Sequence, residues 1–199
     1  MNTIISIGRQ FGSGGRLVAA EIGKKLGNLV YDNELISKAA EESGFSKEFF
    51  ERSDEKRSIF NLSFFGSGRF GDTRNYVGDN EIFQIQSNVI RDIAAKESAV
   101  FVGRCSNYIL RDLRCLDVFI TAPLEDRVKR VSEREGISEE EAREFLLKQD
   151  RIRQTYYDFF TFGHWGAASD YDLCVDSSRL GIAGTAAFVI DFGRKAGLI

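Results

Sequence analysis

Apolar residues in this chain fall into two rhythms, short continuous runs and stretches that recur every three to four positions. The run Ile4-Ile5-Ser6-Ile7, closed by Gly8, has the form of a buried strand. Residues 17–26 carry helical spacing and stop at Gly27. Leu29-Val30-Tyr31 predicts a short strand, and Asp32-Asn33 can cap a helix beginning near Glu34. A further helix is expected over 46–53. From 55 to 79 the pattern dissolves into Phe, Gly, Ser and Arg, which reads as a mobile, partly packed loop over a site. Regular spacing then predicts a helix over 81–96, a strand at Val100-Phe101-Val102, a strand over 116–120 and a helix over 124–134. A long charged helix over 139–159, a strand over 171–175 and a helix over 182–195 complete the chain. Strands alternating with helices imply βαβ units, a mainly parallel sheet and right-handed crossovers.

In such sheets ligands bind at the carboxyl ends of the strands. The stretch Gly8-Arg9-Gln10-Phe11-Gly12-Ser13-Gly14-Gly15-Arg16 falls at one of these ends, between a strand and a helix. A glycine-rich turn opening a helix presents backbone N–H groups and a partial positive charge, the usual arrangement for phosphate. The stretch departs from G-x-x-x-x-G-K-[ST]. If Gly12-Ser13-Gly14 is the G-S-G of that motif, Gly15 stands where lysine belongs. Arg104, after a buried strand and Gly103, is a second candidate for phosphate, because a guanidinium can grip it bidentately.

Composition narrows the chemistry. The 199 residues suit one core with a small mobile subdomain. One histidine removes Ser-His-Asp catalysis in any form that spares His164, and His164 reads as structural. Three cysteines without C-x-x-C spacing argue against a zinc site and fit a reducing compartment. With no membrane-length apolar run and no secretory-type start, the expected location is cytoplasmic, without a membrane partner. A net charge of −3 argues against a nucleic-acid polymer as partner, while local arginines can still bind a small anion. Phosphoryl transfer fits this inventory, since positioning and charge neutralisation supply most of its catalysis.

Arg127, Arg130 and Arg134 share a helix face by spacing, as a basic lid would require; Arg151 and Arg153, two apart, do not. Either set can equally form solvated surfaces with Glu125, Asp126, Glu133 and Glu139–Glu141. Asp32 can be a helix cap and Asp150 an arginine's partner. Tyr156-Tyr157, Phe159-Phe160 and Trp165 read as packing sooner than base stacking.

Taken in order, Ser6 through Arg16, Tyr31-Asp32-Asn33-Glu34-Leu35-Ile36, Val102-Gly103-Arg104, Asp150-Arg151-Ile152-Arg153 with Tyr156-Tyr157, Trp165-Gly166, and Tyr171 through Ser178 resemble the cytidylate kinase-like family of P-loop nucleoside-monophosphate kinases. The resemblance implies an α/β fold: a three-layer α/β/α P-loop domain over 1–199 with a five-stranded parallel sheet. It also implies a helical lid near 130–160 and a mobile acceptor-side insertion at 55–79. It further implies transfer of the ATP γ-phosphate to CMP or dCMP with Mg²⁺, small-molecule nucleotides being the partners. Gly12, Ser13, Gly14 and Gly15 would hold the donor phosphates together with Arg16 and Arg130, and Ser13 is the turn's hydroxyl for Mg²⁺. Arg104 and Asp32 would serve the acceptor, and Arg151 and Arg153 would bridge donor and acceptor. Authentic cytidylate kinases have lysine at the position of Gly15 and aspartate at that of Cys105. Arg16 is the first substitute for the lysine and Arg9 the other. A nucleotide-binding regulator, or a kinase with a non-cytidine acceptor, are the alternative functions.

Overall fold

A computed structural model of the chain describes residues 2–32, 35–36 and 76–199. The expected helix at 46–53, the stretch 55–75 and most of the helix near Glu34 lie outside the described residues. Five strands, β1 (Ile4–Arg9), β2 (Leu29–Tyr31), β3 (Ala99–Val102), β4 (Leu116–Thr121) and β5 (Leu173–Asp176), form one parallel sheet in the order β2-β3-β1-β4-β5. The described helices are α1 (Gly15–Leu26), α2 (Tyr76–Lys96), α3 (Ser106–Ile109), α4 (Leu124–Glu135), α5 (Glu139–Thr161) and α6 (Ser177–Lys195).

Strand residues alternate between two apolar layers, as a period of two requires. Ile5 and Ile7 face α1 and α6, joining Val18, Ala19, Ile22, Ala186 and Val189. Ile4 and Phe101 face the other way, against Ile90 of α2 and Ile109 of α3. Ser6 points to that second side, where its hydroxyl pairs with Ser106 Oγ at 2.6 Å, so the polar group in the strand is satisfied. The sheet is thus covered on both faces, the reason its strands read as continuous apolar runs.

Helices α4 and α5 form a separate pair with its own small core of Val128, Val131, Ala142 and Leu146. Ser138 caps α5 in a reciprocal capping box with Glu141. Phe11, from the glycine-rich turn, packs into this core.

Four boundaries differ from the sequence reading. Helix α2 begins at Tyr76, so the irregular stretch ends before 79. Helix α3 has four residues, too few to show a period. Strand β5 begins at Leu173, because Asp172 meets Asp117 through its N–H and its carboxylate before ladder pairing starts. Helix α6 begins at Ser177, where Asp176 accepts from the Ser178 N–H at 2.8 Å. A break at Gly181 (φ 65°, ψ 177°) divides it, and periodicity sees only the longer second part.

Candidate active site

Strand β1 delivers the chain to the turn, and the turn's shape follows from hydrogen bonds made on all sides. Gln10 N–H donates to the Ile120 carbonyl, and the Gln10 side chain accepts from Ala122 N–H. Gly12 and Gly14 take φ of 75° and 78°, values open to glycine without strain. Helix α1 starts directly after them with no side-chain cap and no acidic residue in its first turn. Its leading N–H groups therefore face the concavity with their partial positive charge unopposed by a cap.

The α4–α5 pair holds this turn in place. Asp150 accepts from Phe11 N–H at 2.7 Å and pairs with Arg127 at 2.5 Å, and Arg127 also donates to the Phe11 carbonyl at 3.2 Å. Arg130 donates to the Gly12 carbonyl and to the hydroxyls of Ser177 and Ser178, while Ser177 Oγ donates to the Ser13 carbonyl. Arg134 and Arg153 lie over the Phe11 ring at 5.3 and 5.1 Å. The shared face of Arg127, Arg130 and Arg134 is thus turned onto the glycine-rich turn, as the spacing predicts.

Three guanidiniums converge between β1 and β3. Arg153 Nη1 donates to the Arg9 carbonyl at 3.1 Å. Burial, then Arg153 and Arg104, lower the Arg9 pKa well below its ordinary value, with Asp32 opposing. Arg153 is lowered to about 10, chiefly by burial, with Arg104 and Arg134 acting in the same sense and Asp150 against. Arg104 sits on a corner in which Gly103, Arg104 and Cys105 all have positive φ. Two non-glycine residues in that region cost roughly 1–3 kcal/mol each, a strain characteristic of functional corners. Like charges held close together in partly buried positions repel, so a multivalent anion placed among them removes an unfavourable energy as well as adding contacts.

Other expected site residues are placed differently. Arg16 is 72% exposed and its guanidinium pairs with Asp32 at 2.6 Å. Asp32 also accepts from Leu35 N–H at 3.2 Å, so it caps a helix and holds Arg16 together. Arg151 is exposed, whereas Arg153 turns inward, the divergence that a two-residue step on a helix dictates. Ser13 is fully buried, and its hydroxyl donates to the Gln10 carbonyl at 2.8 Å. That geometry does not fit a metal ligand, because the oxygen is turned into the protein. Among the described residues no group of three or more His, Cys, Asp or Glu is arranged for a metal.

Cys105 is buried, and burial pushes its thiol up to about 12, so a neutral group stands at the Gly103–Cys105 corner. Tyr157 is core, accepting from Asn107 Nδ2 at 2.9 Å, and Trp165 packs edge-on against Phe119. Tyr156 is different. Arg104 lies 5.5 Å from its ring, and its hydroxyl reaches Gln86 Oε1 at 3.4 Å. Gln86 is buried with Nε2 unpartnered. Gln86, Ser177 and Ser178 were not legible as site residues, since a polar residue within a helix or at its start carries no periodic signal. Asp176-Ser177-Ser178 is the exception, a cap signature that the apolar spacing from Ile182 masked.

A parallel five-stranded sheet with a glycine-rich turn after its central strand defines a P-loop kinase fold. The sequence pattern of the cytidylate kinase-like family matches residues 4–179, and the chain belongs to that family. It is 27% identical to a cytidylate kinase of Methanopyrus kandleri over 90% of this chain and 86% of that protein. A crystal structure of an uncharacterized protein from Eubacterium ventriosum is 29% identical, with TM-score 0.70 over 96% of this chain and 98% of the other. Shikimate kinase from Bacteroides thetaiotaomicron shares the fold at 12% identity, with TM-score 0.55 over 96% and 97%. Family and fold together support a phosphotransferase of the nucleotide-kinase class. No described helix is long and apolar enough to cross a membrane.

Proposed function

We propose that this protein transfers the γ-phosphoryl group of ATP to a nucleoside monophosphate, with CMP or dCMP as the leading acceptor. The observation that carries the reading is the convergence of Arg9, Arg104 and Arg153 beside a helix N-terminus, where Arg153 reaches the Arg9 carbonyl and the Arg9 guanidinium rests on Gly103. The turn's backbone from Gly12 to Gly15 holds the donor phosphates, steadied by Arg130 from behind. Arg104 grips the acceptor phosphate, and Tyr156 beside it offers the base a platform. An acceptor phosphate oxygen attacks the γ-phosphorus while the bond from that phosphorus to the β–γ bridging oxygen breaks. The electron pair leaves on ADP, and the acceptor becomes a diphosphate. The nucleophile is already ionised, so no strong base is needed, and Mg²⁺, when bound with ATP, would add charge neutralisation.

Support for CMP comes from the family and from the cytidylate kinase of Methanopyrus kandleri. The buried neutral thiol of Cys105 replaces a carboxylate that helps read cytosine, so a narrower margin over other bases is expected. In a coupled ADP-release assay with Mg-ATP, CMP is expected to turn over faster than AMP, UMP or GMP. ADP release with none of the four would remove the monophosphate reading.

A further inference from the structure

Residue 15 lacks the lysine of the P-loop motif, and the packing around it shows why. An added Cβ at Gly15 would stand 2.6 Å from Arg9 Cβ and 3.0 Å from Arg9 Cγ. The Arg9 side chain therefore lies across the first residue of α1, in the space a lysine stem would need. It continues until its guanidinium rests on Gly103, where any side chain would run into Arg9 Nη1. Arg9 thus bridges the donor turn and the Gly103–Arg104 corner at the end of β3. Counted on G-x-x-x-x-G-K-[ST], position 9 is the first glycine and position 15 the lysine. The chain has exchanged them.

We infer that Arg9 supplies the charge that accompanies the phosphoryl group in transit, and that Gly15 is glycine so that Arg9 can pass. This deepens the kinase reading and rests on it. Arg16 cannot take the role in this arrangement, being 72% exposed and paired with Asp32. Among the described residues no carboxylate ion-pairs with Arg9; Arg153, Arg104 and Arg16 act against its charge, and Asp32 acts in its favour without an ion-pair contact. A structural arginine would be neutralised by a neighbouring acid. Arg9 is held where its charge is costly, the mark of a group positioned for a ligand.

The test compares Arg9→Ala, Arg9→Lys, Arg16→Ala and the double exchange Arg9→Gly/Gly15→Lys. Arg9→Ala is expected to lower kcat at least a hundredfold with a smaller change in the acceptor KM, and to lose more than Arg16→Ala. It is also expected to melt no lower than the parent protein, which a structural arginine would not do. The exchange should recover at least tenfold over Arg9→Ala, because it restores the motif's first glycine and its lysine with the Arg9 stem out of the way. Gly15→Lys alone should not, since Arg9 still fills that space. Calorimetry separates this inference from the choice of acceptor, as it needs none. Arg9→Ala is expected to erase most of the preference for ATP over ADP even if no monophosphate is turned over. A larger loss in Arg16→Ala, or an ATP preference unchanged in Arg9→Ala, overturns the assignment. Wild-type protein that binds no ATP overturns the donor site and this inference together.

Discussion

Asp117 shows how a single side chain of this fold stores pH dependence. Burial raises its carboxyl to about 6 from an ordinary 3.8, with Asp172 adding to the rise and the Cys115 thiol opposing it. One of its oxygens is buried without a partner. The folded state therefore holds a proton that the unfolded chain releases near pH 4. Stability falls as pH rises between about 4 and 6, and stays lower above that window. Asp117→Asn removes the ionisation while keeping an acceptor for the thiol. Urea melts should show it more stable than the parent at pH 7 by on the order of 1–3 kcal/mol, and equal to it near pH 4. A parent protein whose stability is flat from pH 4 to 7 would contradict this origin. Arg9 belongs to the same scale with the opposite sign of purpose, since its strain is relieved by a ligand and that of Asp117 by a proton.

Helices α4 and α5 are joined to the glycine-rich turn as well as to each other. Arg127, nearly buried, reaches Phe11 and Asp150, while Asp150 holds the Phe11 N–H. What the resemblance calls a lid is, at its base, bonded to the glycine-rich turn. Asp150→Ala would leave Arg127 buried without its partner and the Phe11 N–H without an acceptor. The expected cost is about 3–5 kcal/mol in denaturant unfolding, accompanied by weaker ATP binding. Arg127→Met/Asp150→Leu should recover part of the stability but not the ATP affinity, because the Phe11 N–H remains unserved. Full recovery of affinity would show that the helices do not set the turn. The helix periods were plain in the sequence. That Arg127 and Arg153 face the turn while Arg151 faces solvent follows from those periods only once the docking of the pair is known.

The whole molecule carries a net charge of −3, yet Arg9, Arg104 and Arg153 gather at the carboxyl ends of β1 and β3. Binding an anion there must stabilise the fold by linkage. ATP at about a hundred times its Kd adds about 2.7 kcal/mol. For a domain of this size that is a rise in Tm of roughly 5–10 °C. The rise should shrink in 1 M NaCl, where the Debye length falls to about 3 Å; a salt-independent rise would argue against the arginine cluster as its source. The five strands and their parallel construction were written in the sequence, because the central strands β1 and β3 are buried and read as apolar runs and helical stretches separate successive strands. So was the glycine-rich turn after β1, because Gly12 and Gly14 take positive φ there. The identity of the compensating charge was not. Sequence spacing places Arg16 next to Gly15 along the chain and Arg9 six residues away, and a helical step of about 100° argues only that Arg16 points elsewhere. That Arg9 crosses Gly15 and reaches Gly103 depends on how β1, α1 and β3 meet, a matter of tertiary packing that no local pattern encodes.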